Sequence, residues 1–102
     1  MEVQEPTFIS SALQLPGVSI QVICRKENEI WIGSAQGLFR YNMDTELMKH
    51  YMYDPNDNNS LSQNYITDIA ETGEHTMLVA TLKGINLYNA LTDNYERINK
   101  DT

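Results

Sequence analysis

Acidic and amide side chains gather in residues 54–60, which read Asp-Pro-Asn-Asp-Asn-Asn-Ser. Oxygens at alternating positions suit a hard cation such as Ca²⁺, but the segment lacks the central glycine and the distal glutamate of a calcium-binding loop, so no metal site is predicted. Asp54 and Asp57 have the residue type of a glycosidase pair. They lie on a turn-rich linker without an apolar pocket to raise a pKa, so no catalytic role is predicted for them.

Other residues that commonly carry chemistry are sparse. His50 falls in a predicted outer strand and His75 in a predicted turn, and neither has a nucleophile at a recognisable spacing. The single cysteine, Cys24, stands in an apolar run and is interpreted as a small buried hydrophobe. The sequence therefore predicts a protein that is not an enzyme and that uses no cofactor.

A binding role suits the polar residues better. Amide and charged groups can hydrogen-bond sugar hydroxyls, with Tyr51 or Tyr53 as a stacking plate for a sugar ring. The simpler alternative is that Asp, Asn and Pro only form turns, by bonding to their own backbone or presetting its angles. The candidate ligand-binding residues are Gln36, Asn56, Asp57, Asn59 and Lys83.

Charge and hydropathy exclude two classes of partner. The chain of 102 residues has 7 Lys and Arg against 14 Asp and Glu, a formal net charge of −7. This charge repels phosphate backbones, so nucleic acid is not an expected partner. No apolar stretch approaches the ~20 residues that span a bilayer, and residues 1–6 lack the basic and apolar regions of a signal peptide.

The sequence contains an internal repeat. Residues 15–23 (LPGVSIQVI) precede residues 61–69 (LSQNYITDI) by 46 positions, and residues 31–42 (WIGSAQGLFRYN) precede residues 78–89 (LVATLKGINLYN) by 47. One inserted residue between Ala70 and Met77 explains the change of offset. A fixed period of this length is typical of propellers and other repeat architectures.

Each copy predicts four short strands joined by turns and no helix. Connections this short permit only antiparallel neighbours, so each copy is a four-stranded meander. The predicted strands are residues 19–25, 29–34, 37–42 and 46–53 in the first copy, and residues 65–71, 76–81, 84–89 and 94–99 in the second.

Apolar residues lie on both faces of the early strands, as in Val22 with Ile23 and Trp31 with Ile32, so each sheet must be covered on two sides. Radial stacking of blades provides this, and the predicted fold is an all-β β-propeller fragment of two four-stranded antiparallel meander blades. We expect Trp31 to anchor blade packing. The other predicted structural residues are Gly33, Gly37, Gly84, Tyr41 and Tyr88.

The predicted domain organisation follows the repeat. Residues 1–14 form a lead-in segment that suits the outer strand of a preceding blade, residues 15–60 the first blade with its linker, and residues 61–102 the second blade. The turns at 35–36 and 82–83 and the linker at 54–60 are expected at the same end of the blades, here called the rim, where propellers usually bind ligands.

The repeated residues resemble the two-component regulator propeller repeat. The similarity spans nearly the whole chain after residue 14 and rests on Ile30-Trp31-Ile32-Gly33-Ser34, on Gly37-Leu38-Phe39-Arg40-Tyr41-Asn42 and on the linker running into Leu61-Ser62-Gln63-Asn64. Leu78 and Ala80 depart from it, since the repeat has Trp and Gly there. WD and kelch propellers fit less well, because Trp31 is followed by Ile and no Gly-Gly pair occurs.

The resemblance implies a piece of the periplasmic sensor region of a Bacteroides-type hybrid two-component regulator, a signal-transduction histidine kinase whose propellers detect oligosaccharides. The expected partners are further blades of the parent chain, or copies of itself. Two blades cannot close a ring of ~4 to 8. An excised piece, a truncated reading frame and a self-associating protein all remain open. The alternative function is a structural module that forms a propeller scaffold by oligomerisation without a small ligand.

Overall fold

The computed structural model describes residue 15 and residues 17–98, so the lead-in segment 1–14 lies outside the described residues. Two four-stranded antiparallel sheets make up this part of the chain, with strand orders β1-β2-β3-β4 and β5-β6-β7-β8. The strands are β1 Ile20–Lys26, β2 Glu29–Ser34, β3 Gly37–Asn42, β4 Met48–Tyr51, β5 Ile66–Glu71, β6 Thr76–Thr81, β7 Gly84–Asn89 and β8 Asn94–Ile98. The predicted all-β class and the two meanders are confirmed.

Tight turns fix the register of each meander. Ser34 pairs with Gly37 and Thr81 with Gly84, so two residues connect the central strands of both sheets. Gly37 has φ +106° and Gly84 has φ +103°, a region that glycine enters without steric cost. A Cβ at Gly37 would also meet the carbonyl oxygen of Tyr51 at 2.6 Å. The repeat thus preserves glycine where the turn requires it.

The fourth strand is shorter than residues 46–53, the range expected from the sequence. Glu46 adopts φ +61° and its N–H bonds to Asn42 O, so the chain is still turning there and pairing begins at Met48. After Tyr51 the chain leaves the sheet, and Tyr53 N donates instead to Oδ1 of Asn64 at 2.7 Å. The first strand is displaced by one residue relative to the prediction, from 19–25 to Ile20–Lys26.

The two sheets pack face to face around one apolar core. It contains Trp31 and Leu38 of the first sheet, Met77, Val79 and Tyr88 of the second, and Leu61, which directly follows the linker, all 0 to 1% exposed. Burial of this kind contributes ~25 cal/mol per Å² of apolar surface and is the main stabilising contact between the sheets. The linker is therefore attached to the core at the residue that follows it.

The opposite face of the first sheet carries a second apolar cluster. Ile30, Ile32 and Phe39 are 0 to 6% exposed there, and Leu15 and Val18 pack against them. The opposite face of the second sheet is more open, since Ile85 is 44% and Ile98 47% exposed. We call it the outer face of the second sheet; it consists of Leu78, Ala80, Ile85, Leu87 and Ile98.

Candidate ligand-binding surfaces

The two rim turns lie at the same end of the sheets. Gly37 N, beside the first turn, donates to Asn64 O at 2.7 Å, and Leu82 N of the second turn donates to Tyr65 O at 3.2 Å. Because Asn64 and Tyr65 are consecutive, one short segment connects both turns. The rim is thus a continuous feature of the two sheets.

Gln36 uses its side-chain amide for the structure. Its Oε1 accepts from Ser19 N at 3.0 Å, and its Nε2 donates to Gly17 O at 3.5 Å. Its backbone oxygen lies 2.8 Å from Nε2 of His50, whose ring stacks on Phe39 with 4.0 Å between centroids. The Gln36 amide therefore attaches the chain before β1 to the turn, although the residue is exposed.

The linker 54–60 folds on its own side chains. Asp54 Oδ1 accepts from Asn56 N and Asp57 Oδ1 from Asn59 N, both at 2.9 Å, the self-bonding typical of turn-forming aspartates. Ser60 is buried, and its hydroxyl lies 2.8 Å from Asp57 O and 3.0 Å from Asp54 N. These bonds support the turn-forming interpretation for the aspartates, while Asn56 and Asn59 keep their side chains in solvent.

The candidate rim residues divide into two groups. Asp57 and Asn59 line a cavity of about 290 Å³ together with His50, Tyr51 and Tyr95. Gln36, Asn56 and Lys83 lie outside this cavity, and Lys83 donates its backbone N–H to Thr81 Oγ1 at 2.9 Å. The linker reaches this cavity because Tyr95 N of β8 donates to Asn59 O.

A polar cluster that the sequence interpretation missed lies between the sheets. We call it the Arg40 cluster; its members are Glu29, Arg40, Lys49, Tyr51, Tyr88 and Asp93. Arg40 Nη2 lies 2.8 Å from Oε2 of Glu29, and its Nη1 donates to the Tyr88 hydroxyl at 2.8 Å. Its guanidinium stands 5.0 Å from the Trp31 ring, a cation–π distance.

Asp93 is the acceptor at the other end of the cluster. Its Oδ1 accepts the hydroxyls of Tyr88 at 2.7 Å and Tyr51 at 2.8 Å, and its Oδ2 accepts from Lys49 at 3.1 Å. Burial alone would raise the pKa of Asp93, but the bonds from Tyr88, Tyr51 and Lys49 outweigh it and lower the pKa. The carboxylate form is thus the one that the cluster stabilises.

The pKa values of the tyrosines in the cluster shift in the opposite direction, upward. Burial raises the pKa of Tyr88, and its bond to Asp93 raises it further. Burial also raises the pKa of Tyr51, where the Arg40 bond opposes the change. For Arg40, burial lowers the pKa, yet the bonds to Glu29 and Tyr51 outweigh burial and raise it. The charged and neutral side chains of the cluster therefore stabilise one another through hydrogen bonds.

A second cavity, of about 270 Å³, opens between the sheets at the end opposite the rim turns. We call it the inter-sheet cleft; its walls include Lys26 at the end of β1, the turn residues Glu27 and Asn28 after it, and Glu74 and His75 of the second sheet, with Ala90 beside them. Its inner end reaches Trp31, Arg40 and Tyr88. The cleft adjoins the Arg40 cluster.

Three of the residues expected to be structural, Trp31, Gly33 and Tyr88, lie at the contact between the sheets. Trp31 stacks on Tyr51 at 6.2 Å and meets Tyr88 edge-on at 4.9 Å. A Cβ at Gly33 would lie 2.6 Å from side-chain atoms of Ile66 and Val22, so glycine permits this close approach. Tyr41 packs on the opposite face of the first sheet.

Within residues 15 and 17–98, no three His, Cys, Asp or Glu side chains are grouped to hold a metal ion. In the same part of the chain, no helix is long and apolar enough to cross a membrane. Cys24 is half-buried against the core. Burial raises the pKa of its thiol, and the negative charge of Glu71 raises it further, which disfavours the reactive thiolate.

The chain is similar to the extracellular domain of the putative hybrid two component system BT3049 from B. thetaiotaomicron. The solved structure matches with a TM-score of 0.75 and 27% sequence identity over 87% of this chain. The chain spans 14% of that protein's chain. No family model and no curated protein matches the sequence. The resemblance to a hybrid two-component regulator is therefore confirmed by structure, with the repeat itself unmatched by a family model.

Proposed function

We propose that the chain supplies two consecutive blades, residues 15–60 and 61–102, to the sensor propeller of a hybrid two-component regulator, and that it acts there as a non-catalytic sensing module in the periplasm. The observation that carries this proposal is the match over 87% of the chain to an extracellular domain of such a system. The repeated meander, with the same strand order in both sheets, supports the blade assignment.

The proposed signal is an oligosaccharide bound at the rim. Asn56, Asn59 and Lys83 are exposed, and they present amide and ammonium groups suited to sugar hydroxyls. Asp57 and Asn59 line the cavity beside the aromatic ring of Tyr51. Gln36 holds the turn and is not part of the proposed contact, because its side-chain amide, its N–H and its carbonyl oxygen all bond within the chain.

A thermal-shift screen with neutral oligosaccharides tests this signal. A ligand that binds only the folded state raises Tm with concentration. At 100 times its Kd, such a ligand adds ~2.7 kcal/mol to the free energy of unfolding. The expected result is a sugar-dependent rise in Tm that falls in the double variant Asn56→Ala/Asn59→Ala. Thr67→Ala, at an exposed position of β5 outside the linker, is the matched control.

The proposed partners are further blades of the parent chain. The outer face of the second sheet supports this proposal. In the repeat, Ile85 occupies the place of Leu38, yet Leu38 is fully buried against the neighbouring sheet while Ile85 is 44% exposed. Likewise, Leu78 occupies the place of Trp31. A face with the position and apolar character of a blade contact is suited to a following blade.

The same face favours the second candidate function, a scaffold that self-associates without a small ligand. Light scattering over a wide concentration range separates the two. A discrete oligomer supports the scaffold if its Tm rises with protein concentration and does not change when sugars are added. A species that keeps one mass and responds to sugars supports the sensor, and Ile85→Lys should abolish the oligomer only in the scaffold case.

A further inference from the structure

The linker 54–60 is folded by its own hydrogen bonds. Asp57 N donates to Asp54 O at 3.0 Å, and Ser60 N donates to Asp57 O at 3.1 Å. The hydroxyl of Ser60 bonds to the backbone of both aspartates. These contacts close a compact turn of the kind found in short surface loops whose ends are fixed. The linker is therefore a unit with internal order of its own.

Both ends of the linker are attached to the rest of the chain. Before it, Tyr53 N donates to Oδ1 of Asn64 at 2.7 Å. After it, Leu61 is fully buried in the core between the sheets. The middle of the linker differs, because residues 54–59 are exposed and belong to neither apolar cluster. A small number of polar contacts therefore decides where the middle lies.

One side chain of β8, that of Arg97, makes most of these contacts. Its Nε donates to Ser60 O at 3.2 Å. Its Nη2 lies 3.0 Å from Ser60 Oγ, 3.2 Å from Asp57 O and 3.3 Å from Leu61 O. The guanidinium also stands 5.5 Å from the centre of the Tyr53 ring, a cation–π distance. A single residue of the second sheet thus reaches four oxygens in and beside the linker.

The acceptors of the Arg97 bonds are all neutral. They are three backbone carbonyl oxygens and one hydroxyl. Among the described residues, Arg97 takes part in no ion pair. A bidentate pair with a carboxylate is a stronger contact for a guanidinium than bonds to neutral oxygens. Arg97 can therefore leave the linker without the cost of an unpaired carboxylate, which dominates when a buried ion pair is broken.

The linker forms one wall of the cavity of about 290 Å³, to which it contributes Asp57 and Asn59. The opposite wall belongs to the edge strands of the two sheets, with Tyr51 of β4 and Tyr95 of β8. Asn59 O accepts from Tyr95 N at 2.9 Å, so the linker also covers an N–H on the open edge of β8. Displacement of the linker would remove this wall and expose that N–H.

We propose that the linker is a strap that closes this cavity, and that Arg97 is the latch that holds the strap against β8. With the latch closed, Asp57 and Asn59 stand in the cavity wall. With the latch open, they leave it and the Tyr95 N–H meets water. The latch itself depends on the Arg97 contacts alone. Its consequence for sensing, a binding wall positioned by Arg97, rests on the proposed function.

Hydrogen exchange of the full chain, resolved amide by amide by NMR, tests the latch. In Arg97→Met we expect the Ser60 and Tyr95 amides to exchange about 10-fold faster or more, because bonds from a charged donor are lost. The amides of β2 should keep the rates of the parent chain. Glu96→Gln, which removes one charge from the opposite, exposed face of β8, is the matched control and should change neither amide. Parent rates at Ser60 and Tyr95, or equal acceleration in β2, overturn the latch.

A conservative variant and chemical rescue separate the latch from a general structural role. Arg97→Lys keeps the charge but loses the planar fork, so it should accelerate exchange at the same two amides only. It carries the test if Arg97→Met does not fold. In Arg97→Ala, guanidinium ion at about 20 mM, far below denaturing concentrations, should slow both amides towards their parent rates. Sodium chloride should not, and equal rescue by both salts, or no rescue by guanidinium, overturns the latch.

The sugar response of the parent chain separates this inference from the proposed function. If the parent chain shows no oligosaccharide-dependent rise in Tm while Arg97→Met accelerates exchange locally, the proposed function fails and the latch stands. If the parent chain responds to sugars and every Arg97 variant exchanges at parent rates, the latch is overturned and the function stands. If both hold, Arg97→Met should also reduce the rise in Tm.

Discussion

Arg40 of the first sheet and Tyr88 of the second are joined by a hydrogen bond of 2.8 Å between Nη1 and the phenol oxygen. The Tyr88 hydroxyl in turn donates a hydrogen bond to Oδ1 of Asp93 at 2.7 Å, so the two bonds run in one direction from cation to carboxylate. Successive hydrogen bonds of this kind polarise one another. The two sheets are therefore connected by a directed polar chain as well as by apolar packing.

Replacing Arg40 by methionine should lower the free energy of unfolding by about 2 kcal/mol. The change leaves Glu29, 18% exposed, without its partner, and loss of one member of a partly buried pair costs more than loss of a surface pair. Chemical denaturation monitored by circular dichroism measures it. Lys83→Met is the matched control on an exposed turn, expected within ~0.5 kcal/mol of the parent chain. Equal effects of both variants contradict the structural role of the cluster.

Acid should weaken the contact between the sheets through Asp93. Its pKa is lowered in the fold, so the folded state favours the carboxylate. The stabilisation is complete above the unfolded pKa of ~3.9 and is lost as the pH falls through the lower folded value. Asp93→Asn should reduce the pH dependence of Tm below about pH 4 and lower Tm at pH 7. A steep acid dependence retained in full by Asp93→Asn would show that other carboxylates cause it.

Alkali should weaken the same contact through the tyrosines. The pKa of Tyr88 is raised in the fold, so the neutral phenol is favoured there. The stabilisation is complete below the unfolded pKa of ~10 and is lost as the pH rises through the higher folded value. Absorbance at tyrosinate wavelengths, followed with circular dichroism, should show ionisation of buried tyrosines only as the fold is lost. Tyr88→Phe should lose part of this alkaline dependence, and a Tyr88→Phe variant that keeps it in full would contradict the role given to Tyr88.

Most of the fold was predictable because the repeat places each strand twice. The turns at Gly37 and Gly84 carry local signals, and the strands β2, β3, β6 and β7 coincide with their predicted bounds. The ends of β4 were not predictable, because the positive φ of Glu46 has no signature in residue type. The predicted Asn99 end of the last strand lies outside the described residues.

The Arg40 cluster was harder to predict from the sequence than the fold. Arg40 bonds to a tyrosine 48 residues away, a distance that no local pattern encodes. The available signal was its place in the repeat: Arg40 is two residues after Leu38, on the buried face, where the second copy has Leu87. A charged residue at such a position needs partners. No comparable pattern in the sequence predicts the direction of the Gln36 side-chain amide, because Gly17 and Ser19 form hydrogen bonds with it only in the folded chain.

Gly33→Ala should destabilise the chain by about 1–3 kcal/mol, the usual cost of overpacking a core. The added Cβ would stand 2.6 Å from Ile66 Cγ2, a contact that requires one sheet to move from the other, and 2.6 Å from Cγ1 of Val22, its neighbour within the first sheet. Urea denaturation of Gly33→Ala, Ile66→Ala and the double variant measures the coupling between the two positions. Because Ile66→Ala removes Cγ2, we expect Gly33→Ala to cost less in that background.

The same cycle has an internal control in the second sheet. Ala80 takes the place of Gly33 in the repeat and lies on the outer face, where its Cβ is already accommodated. Ala80→Gly paired with Ile66→Ala should show additive effects within ~0.5 kcal/mol, since the two residues lie on opposite faces of the second sheet. If Ala80→Gly and Ile66→Ala are coupled as strongly as Gly33→Ala and Ile66→Ala, the destabilisation by Gly33→Ala reflects a change in strand flexibility. Additivity there, with coupling at Gly33, assigns the cost to close approach of the two sheets.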